Sequence, residues 1–314
     1  VHRVPERARR RGYALWLALM ACLGAVAICA VLTGSAGGTG RLGPGALGPA
    51  TLGAAGRGAD TACGAGWDQT ASIADSSAPD GQRRVWIHHP AGPDSATIPV
   101  LYLLHGFPSD PQALIDDEVP ALEAEMCRDG TPFVLATPDG QAGTWDTEWG
   151  DDAAGRFALE SFLTGPVIDA TEGTQHRTAG LRAIGGYSMG GYGAAAIALR
   201  HPDTYGQVAS FGGYYHVDDP DGVFAGDDAA HAPDQLVSDA TASRLRFFLV
   251  EGVQEDTPLE SGSIHGEADR FASVLRRHRV TVSVAHPPGG HDDAGWSPAL
   301  PDCVRFLAAG WAGP

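Results

Sequence analysis

Gly186-Tyr187-Ser188-Met189-Gly190-Gly191, entered from Gly180-Leu181-Arg182-Ala183-Ile184-Gly185, is the stretch on which the fold turns. The entering run is mostly apolar and reads as a buried strand. The run that leaves, Tyr192-Gly193-Ala194-Ala195-Ala196-Ile197-Ala198-Leu199-Arg200, reads as a helix with a small-residue face able to pack close to a sheet. A sharp strand-to-helix turn has no room for side chains two residues before and two after its apex, where Gly186 and Gly190 stand. Ser188 at the apex is expected to be an exposed nucleophile, with the helix N–H groups and dipole beneath it favouring developing negative charge. In a chain with 43 glycines the pentapeptide alone would be a weak sign; the strand, turn and helix around it give it weight.

Outward from this turn, strand-like and helix-like runs alternate. Ile98 to Leu104 is a nearly continuous apolar strand that empties into His105-Gly106-Phe107-Pro108, and a helix follows as far as Cys127, with Pro120 at its start or at a bend. Further strands are expected at Arg83 to His89, Pro132 to Thr137, Gln207 to Phe211, Arg246 to Gly252 and Val280 to Ala285. Helices are expected from Arg156 to Ala170, broken at Gly165-Pro166, from Ala268 to His278, and from Ser297 to Ala309. The rhythm is that of crossover units, which predicts an α/β fold with a mostly parallel central sheet and helices on both faces. Chemistry in such sheets collects at the carboxyl ends of the strands. The segment from Val217 to Asp239, rich in Asp, Ala and Gly, is a lid, an excursion or a surface loop.

The N-terminus is of another kind. Arg3, Arg7, Arg9, Arg10 and Arg11 flank an uncharged apolar run from Tyr13 to Leu32, the pattern of an export signal or a membrane anchor. Residues 1–36 are therefore expected to be a signal peptide or N-terminal membrane anchor, and residues 37–60 a flexible Gly/Ala/Pro-rich linker. Residues 61–314 are left as one catalytic domain, secreted or anchored to the outer face of the cell membrane. A formal net charge of −17 argues against nucleic acid as a partner. Cys63, Cys127 and Cys303 allow at most one disulfide, and none has the spacing of a zinc site.

Three distant stretches bear chemistry. Ser188, an acid at Glu255 or Asp256 just past Gly252, and His291 after Gly289-Gly290 stand in the order nucleophile, acid, base. His291 would take the serine proton and return it to a leaving group, with the carboxylate fixing the imidazole tautomer. His286 is its nearest rival. Two backbone donors would hold an oxyanion, Met189 N–H directly after the nucleophile and Phe107 N–H in the loop after His105-Gly106. Trp145 and Trp149, on a loop of the same side, are either a substrate wall or loop anchors. Asp146, Glu148, Asp151 and Asp152 lack the ordered ligand spacing of a calcium loop, so no metal is expected.

Leu103-Leu104-His105-Gly106, the Gly186 to Gly191 turn, Gly252 to Asp256, and Gly289-Gly290-His291 followed by Trp296 together resemble one branch of the α/β-hydrolases. That branch includes esterase D, feruloyl-esterase domains and mycolyltransferases of the antigen 85 type. The resemblance spans roughly residues 80 to 310. It implies the α/β-hydrolase fold, a serine acyl-enzyme that cleaves a small-molecule or cell-envelope carboxylic ester, and no cofactor. Acyl transfer to a sugar or cell-envelope acceptor shares the same acyl-enzyme and remains open, as does a surface protein that keeps the fold and only binds.

Overall fold

The computed structural model describes residues 66–313 except 79, 243, 260 and 261. The expected leader, the expected linker, Cys63 and the first residues of the expected domain lie outside that range. Among the described residues no helix is long and apolar enough to cross a membrane.

Ten strands are described: β1 (Trp67–Ala74), β2 (Gln82–His89), β3 (Val100–Leu104), β4 (Val134–Pro138), β5 (Arg182–Tyr187), β6 (Gln207–Phe211), β7 (Arg246–Val250), β8 (Pro258–Leu259), β9 (Gly262–Ser263) and β10 (Thr281–Ala285). Eight form one sheet in the order β1-β2-β4-β3-β5-β6-β7-β10, and β8 with β9 makes a separate hairpin. From β4 to β10 every pairing in the large sheet is parallel; β1 and β2 join antiparallel at one edge. β1 was not legible in the sequence. Trp67-Asp68-Gln69-Thr70-Ala71-Ser72-Ile73-Ala74 is short of bulky apolar residues because it lies on the edge, where its side chains are exposed or half-buried.

Successive side chains of a strand point to opposite faces, and both faces here are covered. Val100, Tyr102 and Leu104 of β3 join one core with α3 (Leu159–Thr164), α4 (Pro166–Glu172) and α5 (Met189–Arg200). Leu101 and Leu103 join the other with α1 (Pro111–Asp117) and α2 (Val119–Asp129). The remaining two long helices divide in the same way. Phe271 and Leu275 of the helix Glu267–Arg277 enter the first core, and Val304 and Leu307 of the helix Leu300–Trp311 the second. Pro166 sits at the start of α4 directly after α3, so the expected break is present.

The segment 217–239 is not a loose loop. Val223 and Phe224 are buried, Phe224 stacks on His231 at 3.8 Å between ring centroids, and Tyr192 O–H of α5 donates to His231 O at 3.0 Å.

Candidate active site

β5 ends at Tyr187 and α5 begins at Met189, which leaves Ser188 alone on the turn with φ 55° and ψ −120°. A non-glycine residue there is strained by roughly 1–3 kcal/mol and persists only if its surroundings hold it. Ser188 N–H donates to Phe211 O at 2.8 Å, and Ser188 O accepts from Gly191 N–H at 2.8 Å and Tyr192 N–H at 3.1 Å. The flanking glycines are required by close approach. A Cβ on Gly190 would stand 2.3 Å from Leu104 O, and one on Gly186 2.5 Å from the Gly190 carbonyl.

Two other strand exits bring their loops to this serine. After β7 the chain turns back, with Glu255 N–H donating to Gly252 O at 3.0 Å. After β10 the loop 286–292 runs beside it, and Val253 N–H donates to Pro287 O at 3.0 Å and Gln254 N–H to Gly289 O at 2.8 Å. The two loops are thus stitched together by backbone, and their side chains meet. His291 Nε2 lies 2.8 Å from Ser188 Oγ, and His291 Nδ1 lies 2.5 Å from Glu255 Oε1. With Nδ1–H donating to the carboxylate, Nε2 is free to accept the serine hydroxyl proton.

Glu255 is fully buried, yet every lone pair direction in use has a donor. Besides His291, Gly252 N–H donates to Oε2 at 2.6 Å and Trp296 Nε1–H at 3.2 Å. Of the two acids that the sequence left open, Asp256 points elsewhere: it is exposed and accepts from Ser263 O–H at 3.2 Å. His286 also lies apart, with Nδ1 3.2 Å from Glu251 O.

The loop after β3 abuts the turn, since a Cβ on Gly106 would come within 3.2 Å of Ser188 Cβ. His105 anchors this loop from beneath. It is buried, its Nδ1–H donates to Gly106 O at 2.8 Å and its Nε2 accepts from Gly140 N–H at 3.0 Å. Burial pushes its pKa down, so the ring is neutral and serves both bonds with one tautomer. Phe107 is half-buried against the first core, and Met189 is the first residue of α5.

Trp149 is wholly inside. Its ring packs against His105, and its Nε1–H donates to His105 O at 3.0 Å, so it ties the loop 144–150 to the His105 turn and presents no face to a substrate. Trp145 is 36% exposed beneath the Arg156 guanidinium, 3.6 Å from the ring centroid. The acids between the two tryptophans are unusual. Burial and then Asp221 push Asp146 up to about 8, and burial and Asp146 raise Glu148 well above the ordinary carboxyl range. Tyr214 O–H donates to Glu148 Oε2 at 2.6 Å. Among the described residues no group of three or more His, Cys, Asp or Glu is placed to hold a metal ion.

Trp296 and Gly212 were given no role from the sequence. The spacing of Trp296 from His291 was its only signal.

A family model described as "Putative esterase" matches residues 76–307. The MPT51/MPB51 antigen of Mycobacterium tuberculosis (strain ATCC 25618 / H37Rv) is 29% identical over 116 residues, which are 37% of this chain and 38% of that relative. The match thus spans well under half the length of the curated relative. A ferulic acid esterase has a similar structure, with a TM-score of 0.64 at 20% identity over 78% of this chain and 98% of its own. An S-formylglutathione hydrolase from Agrobacterium tumefaciens gives 0.61 at 16% identity over 78% and 95%. At such identities these likenesses show the fold, which is that of the α/β-hydrolases.

Proposed function

This chain belongs to the esterase family whose model it matches over residues 76–307, and from that premise we propose that it is a serine carboxylesterase acting through an acyl-enzyme on Ser188. The observation that carries the reading is the unbroken series Ser188 Oγ, His291, Glu255, at 2.8 Å and 2.5 Å, ending on a buried carboxylate.

Ser188 Oγ attacks the ester carbonyl as His291 Nε2 takes its proton. Glu255 holds the imidazole by Nδ1–H and stabilises the imidazolium that forms. Negative charge on the carbonyl oxygen is received by Met189 N–H at the start of α5 and by Phe107 N–H in the loop that His105 fixes; one such donor is worth about 3 to 4 kcal/mol of barrier. The tetrahedral adduct collapses as His291 returns the proton to the departing alkoxide. Water then repeats the sequence on the acyl-enzyme and frees the acid. Asp256 has no part in this scheme, and the substrate wall falls to Trp145 alone.

The basic flank and apolar run of residues 3–32 support an exported protein. The test is turnover of a panel of p-nitrophenyl esters of increasing acyl length by wild type and Ser188→Ala, with trehalose or glucose present as competing acceptors. Wild type is expected to release free acid from short esters and Ser188→Ala to be inert. Acyl-sugar as the main product would move the assignment to transfer, and equal rates for the two proteins would remove it.

A further inference from the structure

Thr147-Glu148-Trp149-Gly150 is a tight turn, closed by Gly150 N–H donating to Thr147 O at 2.9 Å. Both central residues have φ 51°, the I′ kind of turn that glycine and asparagine normally fill. Side chains resist this backbone, so two in succession persist only where their surroundings hold them. Here both turn inward: Glu148 is 2% exposed and Trp149 0%. Glu148 Oε2 accepts from Tyr214 O–H at 2.6 Å.

The indole of Trp149 spans the space between two strand exits. Its Nε1–H donates to His105 O at 3.0 Å, and its ring stands edge-on to the His105 imidazole at 4.9 Å. The six-membered end of the ring lies over Gly140, where a Cβ would come 2.4 Å from Trp149 Cη2. The opposite end lies on α5 at Gly193, where a Cβ would come 2.7 Å from Trp149 Cβ. Thr147, in the same turn, reaches the first residue of that helix: its Oγ1 is 3.7 Å from Met189 Sδ.

We propose that Trp149 is a positioning residue for the oxyanion hole, an internal brace that sets the β3 exit, which carries Phe107, against the first turns of α5, which carries Met189. This rests on the reading of Ser188 as nucleophile with those two N–H groups as donors. The indole touches no substrate. Its hydrogen bond keeps the His105-Gly106 peptide from drifting away from the helix, and its contact with Gly193 fixes how far off the helix stands. An oxyanion gains fully only when both donors are at the right distance, whereas the neutral carbonyl of the bound ester gains little from either. Loosening the brace therefore lowers kcat more than it raises KM. The strained turn is the means of aiming a large ring inward from a short loop.

The test compares wild type, Trp149→Phe, Gly140→Ala and Trp296→Phe on p-nitrophenyl acetate and on its thiono analogue, in which sulfur replaces the carbonyl oxygen. Wild type is also labelled with a fluorophosphonate. Sulfur is a weak acceptor, so the thiono ester draws little from the two donors. The ratio of kcat/KM for the two esters does not depend on the folded fraction of a sample, which a merely structural role would change. Trp149→Phe keeps a ring and removes the donor. It is expected to lower kcat on the oxygen ester about tenfold to a hundredfold with KM little changed, and to lower the oxygen-to-sulfur ratio about tenfold. Gly140→Ala, whose methyl must push the indole aside, is expected to lower the ratio as well. Trp296→Phe, which acts on Glu255 and His291, is expected to slow both esters alike and keep the ratio. With Ser188 of wild type labelled, an unchanged ratio in folded Trp149→Phe, or an equal fall in Trp296→Phe, would overturn the brace alone. No labelling of wild type would overturn the reading of the site and the brace with it. Should Trp149→Phe not fold, the ratio in Gly140→Ala decides.

Discussion

Trp296 donates its indole N–H to Glu255 Oε2 at 3.2 Å while its ring stands at 84° to the imidazole of His291. One side chain thus holds both the acid and the base of the series. Trp296→Phe keeps most of the ring and removes the donor. Hydrogen bonds to charged groups are worth about 1.5–3 kcal/mol, so kcat/KM is expected to fall by about tenfold to a hundredfold. A circular dichroism spectrum and melting curve close to wild type would place the loss in the site. An unchanged kcat/KM would mean that Glu255 needs no help from the indole.

Glu255 and Asp256 are neighbours that the geometry separates completely. Glu255→Gln retains the shape of the contact but cannot stabilise an imidazolium or fix the tautomer, and kcat is expected to fall by about 10⁴. Asp256→Asn is expected to stay within about twofold, since its exposed carboxylate accepts from Ser263 O–H and not from His291. Steady-state kinetics of the two variants checks this.

Gly212, the first residue after β6, has φ +57°, and a Cβ there would lie 2.4 Å from Glu255 Oε1 and 2.5 Å from the Trp296 ring. Gly212→Ala must push the acid aside, and a displacement of about 1 Å costs on the order of a hundredfold in rate. Gly222 is the control. It has φ +68° with nothing within 4 Å of its Cβ position, so Gly222→Ala strains the backbone to a similar degree without touching the site. It is expected to lower the melting temperature and leave kcat near wild type.

Stability should peak on the acid side of neutrality. Glu118 and Asp146 are raised to about 8 from 4.5 and 3.8, and Glu148 is also raised. The folded protein keeps protons there that the unfolded chain releases near pH 4. Their contribution is therefore full below about pH 4 and lost as pH rises through about 8. Glu267 is the opposite case, held down to about 2 despite its burial by hydrogen bonds from His216 and Arg270. Its contribution is full above about 4.5 and lost as pH falls toward 2. Thermal melting from pH 3 to 9 is expected to show a maximum near pH 5 and a steady fall toward 9. Asp146→Asn should flatten the alkaline fall.

The elements that were readable from sequence are those whose surroundings leave one choice. β3, β5, β6 and β7 are buried on both faces and so are mostly apolar, and the Ser188 turn needs glycines at two fixed positions. What was unreadable depends on contacts between distant segments. Which of Glu255 and Asp256 turns inward is set by the return of Glu255 N–H to Gly252 and by the partner loop after β10. Trp149 was open between wall and anchor because its burial arises from Gly140 and Gly193, which let His105 and α5 close on the ring. β1 lacked apolar alternation because an edge strand does not need it. Glu118 gave no sign at all, since only the tertiary fold sets one acid of Asp116-Asp117-Glu118 against Tyr187.

Labelling of the folded protein by a fluorophosphonate probe, read by intact mass and peptide mapping, tests the central claim most directly. The account requires a single adduct on Ser188 in wild type, none in Ser188→Ala, and labelling slowed by orders of magnitude in His291→Ala. Folded wild type that takes up no probe, or takes it up on another residue, would contradict it.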